Sequence, residues 1–322
     1  MFEKLRPEAV RDAAKRIAPH VKRTPLIRSG KLSEIAGGDV YLKLENEQLT
    51  GSFKLRGALN ALGCLTPEQK RAGVVASSAG NHGMGVASAA KTLGIKAKVY
   101  VPSTAPQVKK DGIRAMGAEL DDSAPDYDAA MVIAIEDGKR TGRPFINPCL
   151  GDDLIAGQGT VALEIIEELP GLKSLVVNVG GGGLLGGCAS LLRNERPDVR
   201  IYGAQSVNTA AMSRSMAAGK IVDIPSVPTL ADGLAGVIDA DGFDIGKHSL
   251  DKIVTLTEDE IAQAIAWLQR EHGKRVEGAG ACATGAVLFR KIAVEMPCAV
   301  VISGGNIDQA RWKQALDSQG RV

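Results

Sequence analysis

Lys54 lies in "GSFKLRGA", residues 51–58, directly after an aromatic and at the start of an apolar-periodic run. Lysines are ordinarily solvated surface groups, and taken alone Lys54 fits a surface lysine near a helix start. A deprotonated lysine amine attacks carbonyl carbon and takes protons from weak carbon acids. Three glycine-rich stretches offer chemistry of a complementary kind. "VNVGGGGLLGG" sets Gly180, Gly181, Gly182 and Gly183 between a β-branched run and a helical pattern. Without Cβ atoms their N–H groups can turn inward, and the helix start adds positive dipole, so a phosphate is the natural occupant. The GK[ST] ending of a Walker loop is missing, and Gln205 stands where a dinucleotide site wants an acid. "SSAGNHG" has the same form: a strand ends in Ser77 and Ser78, and after Ala79 the residues Gly80, Asn81, His82 and Gly83 open a helix. Its backbone donors and amide suit a carboxylate. "SGGN", beginning at Ser303, closes a third strand in the same manner. Taken singly, each loop also fits a plain turn, and His82 alone fits a packed structural histidine.

These loops need strands behind them and helices in front. "GVVASS" (73–78), "KAKVYVP" (96–102), "SLVVNVG" (174–180), "VRIYGAQ" (199–205) and "CAVVISGG" (298–305) read as buried strands. Helical patterns lie between them, including "PQVKKDGIRAMG" with Pro106 early, and "EDEIAQAIAWLQREHG" (258–273), acidic first and basic last. Strands alternating with helices predict parallel sheet and right-handed crossovers. Polar loops at the carboxyl ends of such strands would converge on one crevice. The stretch 219–250 is the least regular, with Gly, Pro and Asp interrupting every pattern. A long irregular segment of this kind fits a site lining or a surface excursion.

The 322 residues suffice for two ordinary domains, and 44% hydrophobic with 24% charged residues is a globular balance. A net charge of +2 and 3% aromatic content argue against nucleic acid and against an anionic membrane surface. Cys64, Cys149, Cys188, Cys282 and Cys298 are odd in number and without metal-ligand spacing. The four histidines form no metal motif. The start, "MFEKLRPEAVRDAAKR", lacks the apolar core of a signal peptide, and no stretch has the length of a membrane span. A cytoplasmic location is expected.

Nine segments, in family order over essentially the whole chain, resemble the fold-type II pyridoxal-phosphate enzymes, specifically the threonine/serine dehydratase and serine racemase family. They are "RTPLIRS", "YLKLENEQLTGSFKLRGA", "SSAGNHGMGVA", "VPSTAPQVKKDGIRAMGAEL", "IAGQGTVALEI", "VGGGGLLGG", "TLADGLAG", "VEGAGA" and "SGGN". The resemblance implies an α/β, tryptophan synthase β-like fold of two domains, each with a mainly parallel twisted sheet flanked by helices. Residues 1–47 and 146–322 would form the large cofactor domain, and 48–145 the small one. It implies pyridoxal 5'-phosphate as cofactor, Lys54 as the Schiff-base lysine, and Phe53 against the ring face. Gly180 to Gly183 would cup the phosphate, Asn81 would bond the phenolic oxygen, and Ser303 would meet the pyridine nitrogen. A neutral hydroxyl there does not hold the nitrogen protonated, which suits elimination. Ser77, Ser78, Ala79, Asn81 and His82 would form the substrate loop. The implied reaction is β-elimination on a β-hydroxy amino acid, L-threonine or L-serine, giving a 2-oxo acid and ammonia. Lys54 would remove the Cα proton, and the cofactor phosphate would protonate the leaving hydroxyl. A homodimer is implied as well.

Two departures narrow the resemblance. Serine racemases carry a serine where Ala79 stands, as a proton donor on the opposite ring face. The family's divalent-cation site would need acids where Gln205 and Ala211 stand, so no metal is expected there. The chain stops about where the family's catalytic unit stops, so feedback by isoleucine through a regulatory domain is not expected, and a catabolic role follows. Other readings stay open: a dehydratase for 3-hydroxyaspartate or phenylserine, a serine racemase, and a non-catalytic phosphate-ligand binding protein. A substrate with a side-chain carboxylate would want a further cation, for which Arg56, Lys109 and Arg114 are candidates.

Overall fold

The computed structural model describes residues 6–225 and 227–317. Residues 1–5 of the charged start, Ser226 and the last residues, 318–322, lie outside the described residues. Among the described residues nine strands run in chain order: β1 (Leu26–Arg28), β2 (Val40–Lys43), β3 (Val74–Ser77), β4 (Ala97–Pro102), β5 (Glu119–Ala124), β6 (Ser174–Asn178), β7 (Arg200–Ser206), β8 (Lys252–Leu256) and β9 (Cys298–Val301). They form a six-stranded sheet of order β1-β2-β9-β6-β7-β8 and a three-stranded sheet of order β3-β4-β5. Every pairing is parallel except that of β1 with β2.

The continuous apolar runs are explained by helices on both sheet faces. On one face, Val176 of β6 and Val300 of β9 pack with Ile265, Leu268 and Ala283 of the helices Glu258–His272 and Gly278–Leu288. On the other face, Leu175, Val177 and Val301 meet Ile155, Val161 and Leu185 of the helices Asp152–Glu168 and Gly183–Glu195. The period of two along "LVV" therefore sorts side chains between two cores. In the smaller sheet, Val74, Ala76 and Val99 face Leu55, Leu59 and Val86, while Val75 and Tyr100 face Ala130 and Ala134.

The helix Lys54–Gly63 lies between the two sheets' helical layers, touching both Asn81–Leu93 and Asp152–Glu168. Its approach to the latter is close: a Cβ on Gly157 would stand 2.6 Å from the Arg56 carbonyl oxygen. The glycine of "IAGQGT" is thus a packing requirement. Thr257 and Glu260 form a reciprocal capping box at the start of Glu258–His272, and Gly273 ends it with φ 62°.

One stretch differs from its sequence reading. Residues Ala240–Ser249, inside the irregular region, form a helix capped by Asp239 Oδ1 on the Gly242 N–H at 2.8 Å. Gly242 and Gly246 read as interruptions, yet they are contact points. A Cβ on Gly242 would lie 2.9 Å from the Gly181 carbonyl oxygen, and one on Gly246 would overlap Met212. No helix of the described residues is long and apolar enough to cross a membrane.

Candidate active site

Lys54 is the first residue of its helix, preceded by Phe53 at the cap. The segment before it is stapled to the end of β9. Ser52 bridges Gly304, the Phe53 N–H donates to the Ser303 carbonyl at 3.1 Å, and the Gly305 N–H donates to the Gly51 carbonyl at 2.9 Å. Lys54 Nζ lies 5.3 Å from the centre of the Phe53 ring and donates to the Pro148 carbonyl at 2.6 Å. No carboxylate pairs with it among the described residues.

The loop from Asn147 to Leu150 joins Lys54 to the glycine run. Asn147 Oδ1 accepts from the Cys149 and Leu150 N–H groups at 2.8 and 2.9 Å. Cys149 then packs on the glycines: a Cβ on Gly181 would lie 2.7 Å from its Sγ, and one on Gly183 2.8 Å from its carbonyl oxygen. Gly182 has φ 99° and caps the helix Gly183–Glu195. Side chains are excluded from this turn, so the free N–H groups of the helix start are open to an anion.

Ser303 is buried, and its Oγ accepts from Asn178 Nδ2 at 3.1 Å. Asn178 is held in turn by the Val301 carbonyl and by the Ala283 N–H. Asn81 opens the helix Asn81–Leu93. Its Nδ2 donates to Glu277 Oε1 at 2.7 Å, and its Oδ1 accepts from Asn306 Nδ2 at 2.7 Å. Ser77 is buried with its Oγ unpartnered, as is Ser52 Oγ. Ser78 Oγ accepts from the Gly80 N–H at 3.1 Å, and Ala79 packs partly against the smaller sheet's core. His82 Nε2 donates to the Ile146 carbonyl at 2.8 Å, leaving Nδ1 without a partner. Burial, then the nearby Lys54 charge, holds its pKa down to about 3, so the ring is neutral.

The three loops therefore meet through direct contacts, joined by the 147–150 segment. Sequence reasoning missed Asn178, Glu277, Asn306 and Pro148. Two motifs quoted for the resemblance contain members of this set, "VEGAGA" with Glu277 and "SGGN" with Asn306.

The sequence profile of the pyridoxal-phosphate dependent enzymes matches residues 17–304. The chain belongs to that family. The cofactor of these enzymes is pyridoxal 5'-phosphate. The L-threonine ammonia-lyase of Thermotoga maritima is 41% identical over 302 residues, 94% of this chain and 75% of that protein. Maize serine racemase superposes with a TM-score of 0.91 at 31% identity, covering 98% of this chain and 97% of that one. The processed threonine deaminase isoform 2 of Solanum lycopersicum gives 0.91 at 32% identity, over 97% and 88%.

The residues present fit the group this family uses. The glycine turn is lined by backbone and crowded by Cys149, no carboxylate pairs with Lys54 among the described residues, and the Ser303 hydroxyl has its proton free to donate. Two of the cations considered for an acidic substrate are placed elsewhere. Arg56 is fully buried, bonded to Glu45 at 2.8 Å and to Glu164 at 2.7 Å, with Lys43 on the same Glu164. Burial works against its charge, and the two glutamates more than offset that, so its pKa rises. Arg114 lies on the exposed side with Asp111 and Asp122. Lys109 reaches Asp232 at 3.4 Å, in the same pocket as Glu277. Gln205 spends its amide internally, on the Thr209 carbonyl and the Ser213 N–H. Among the described residues no three His, Cys, Asp or Glu side chains gather as a metal site, and all five cysteines are free.

Proposed function

We propose that this chain is a pyridoxal 5'-phosphate-dependent ammonia-lyase acting on L-threonine, with L-serine as the alternative substrate. The observation that carries the reading is Lys54: a half-buried amine beside Phe53, joined through Pro148 and Cys149 to a glycine turn at a helix start that suits an anion. The Thermotoga maritima relative, named for threonine and alike over 94% of this chain, supports the substrate.

When bound, the cofactor supplies an electron sink for the charge left at the substrate Cα. Lys54 Nζ would hold its aldehyde carbon and, once released, take the proton from the substrate Cα. Gly180 to Gly183 would hold the phosphate through backbone N–H groups, and Phe53 would pack on the ring. Asn81 would donate to the phenolic oxygen. Ser303 would donate to the ring nitrogen, leaving it unprotonated. Ser77, Ser78 and Asn81 would hold the substrate carboxylate, with Ala79 and His82 completing the loop. Loss of the β-hydroxyl and of the Cα proton releases water, and hydrolysis of the enamine consumes it again, giving the 2-oxo acid and ammonia.

The division into residues 1–47 with 146–322 and residues 48–145 belongs to this reading. It is supported by the three-stranded sheet arising wholly from residues between 74 and 124. The homodimer and the cytoplasmic location are parts of it too, tested by mass in solution and by cell fractionation. The decisive experiment is a keto-acid assay over L-threonine, L-serine, 3-hydroxyaspartate and phenylserine, beside an absorbance scan. Fastest turnover of threonine or serine, lost with the visible band in Lys54→Ala, is the expected result. Undiminished elimination by Lys54→Ala, or a clear preference for the other two substrates, overturns the reading.

A further inference from the structure

Glu277 stands at the cap position of the helix Gly278–Leu288, yet its side chain does not cap that helix. The carboxyl group is buried and turns instead to Asn81, accepting from Nδ2 at 2.7 Å. On the other side of Asn81, Oδ1 accepts from Asn306 Nδ2 at 2.7 Å, and that nitrogen also donates to the Thr50 carbonyl at 2.8 Å. Asn306 cannot exchange its oxygen and nitrogen without facing two acceptors with a third. Its orientation fixes that of Asn81, with the oxygen toward Asn306 and the nitrogen toward Glu277. One N–H of Asn81 is thereby left over.

Gly304 makes room for the arrangement. A Cβ there would overlap Glu277 Oε1 and lie 3.1 Å from Asn81 Nδ2. The Glu277 N–H also donates to the Gly304 carbonyl at 3.2 Å. "VEGAGA", "SGGN" and "SSAGNHG" therefore lock together at one carboxyl group.

We propose that Glu277 is a positioning residue, which with Asn306 aims the remaining N–H of Asn81 at the phenolic oxygen of the cofactor. The inference rests on the function proposed above. Oε1 accepts from Asn81 whether or not the other carboxyl oxygen carries a proton, so the role requires an acceptor and not a charge. Burial, then Asp232, pushes the Glu277 pKa up to about 7, against Asn81, Lys109 and the Asn306 N–H. Arg311 and Asp308 line the same pocket.

The test uses full-length Glu277→Gln, Glu277→Ala, Asn81→Ala and the double alanine variant. Three quantities are measured: the absorption spectrum with pyridoxal 5'-phosphate, the equilibrium affinity for it, and kcat/KM with L-threonine. Glutamine keeps the carbonyl acceptor, so Glu277→Gln should stay within about 3-fold of the unmodified protein. Glu277→Ala should lose about 10- to 100-fold in kcat/KM and alter the spectrum, as expected for a lost buried hydrogen bond. The double variant should be no worse than the weaker single one, because both act through one group. Additive losses, an unaltered spectrum in Glu277→Ala, or equal losses in Glu277→Gln and Glu277→Ala overturn the proposal alone. An unmodified chain that takes up no pyridoxal 5'-phosphate overturns the function reading and this one with it.

Discussion

Asn178 Nδ2 donates to Ser303 Oγ at 3.1 Å, and this contact decides what the hydroxyl can offer. With its oxygen accepting from Asn178, Ser303 keeps its proton for a second partner. Asn178 cannot turn away, since its Oδ1 accepts from the Ala283 N–H at 2.7 Å. A donor at the ring nitrogen leaves that nitrogen unprotonated, which suits a carbanion that expels its β-substituent at once. Ser303→Asp reverses the polarity. The expected result is an altered spectrum of the bound cofactor and elimination slowed about 10- to 100-fold, the scale of a charged hydrogen bond. Unchanged rate and spectrum would place Ser303 out of reach of the ring.

The glycine turn yields a prediction that separates neighbouring positions. A Cβ on Gly181 meets the Cys149 side chain, Sγ at 2.7 Å and Cβ at 3.1 Å, whereas one on Gly183 meets the Cys149 backbone oxygen at 2.8 Å. Gly181→Ala should therefore weaken retention of pyridoxal 5'-phosphate while shifting the melting temperature of the cofactor-free protein little. Gly183→Ala should lower both. Retention measured by dialysis beside thermal melts distinguishes them, and equal stability losses at the two positions would count against an anion cradle.

Much of this was legible in the sequence because backbone chemistry leaves strong residue signals. Glycines mark the cradle, and β-branched runs mark β3, β4, β6, β7 and β9, with ends shifted by residue pairs such as 179–180 that leave the ladder to form the loops. β5, "ELDDSA", gave no such signal. It pairs with β4 at the sheet edge, with Glu119 and Asp121 held by Lys98 across the ladder, so its acids are satisfied by a neighbour distant in sequence. Asn178 and Pro148 were hidden for the same reason. An asparagine ending a strand and a proline in a loop acquire meaning only through Ser303 and Lys54, far along the chain.

Arg56 is a charge with a structural task two residues from Lys54. Its guanidinium joins Glu45, Glu164 and Thr160, and Lys43 completes a buried set of two positive and two negative groups. Removing the arginine leaves the Glu45 carboxylate without a cation in the interior and Glu164 with Lys43 alone. Arg56→Leu should lose about 3–5 kcal/mol of unfolding free energy. Arg56→Lys should recover only part, because one ammonium cannot serve both carboxylates in a bidentate manner. Urea unfolding measures both, and a neutral Arg56→Leu would show the network to be dispensable.

Glu277 and His82 impose opposite pH dependences on stability. The Glu277 pKa is raised to about 7 from the ordinary 4.5, chiefly by burial. Between those values the folded chain keeps a proton that the unfolded chain releases, so stability is lost as pH rises, by on the order of 3 kcal/mol in full. The His82 pKa is lowered from 6.5 to about 3, so its contribution is complete above 6.5 and is lost as pH falls toward 3. Glu277→Gln should gain on the unmodified cofactor-free protein between about pH 5 and 8, and His82→Gln should gain between about pH 7 and 4. Denaturation curves over a pH series check the two signs separately. Parallel pH profiles would mean that neither group titrates differently on folding.

Ala79 bears on whether the chain eliminates or racemises, a live question given the 0.91 TM-score to maize serine racemase. Racemisation needs a proton-transfer group on each face of a planar carbanion, because one base returns the proton to the side it came from. In the proposed reading Lys54 would serve one face, and at the other Ala79 would offer only a methyl group. His82 remains neutral with its Nε2 proton on the Ile146 carbonyl, and Ser78 Oγ is held by the Gly80 N–H. Ser77 Oγ is the one unpartnered hydroxyl of the loop, but it is fully buried at the end of β3. Elimination requires no donor on that face, so keto acid should exceed D-amino acid by about 10-fold or more, the low end of what a positioned acid contributes. Ala79→Ser supplies a hydroxyl there and should raise the ratio of D-serine to pyruvate formed from L-serine. Chiral chromatography of the residual serine, run beside the keto-acid assay, measures that ratio. Comparable rates of D-serine and pyruvate formation by the unmodified protein would show that a donor other than residue 79 reaches the second face.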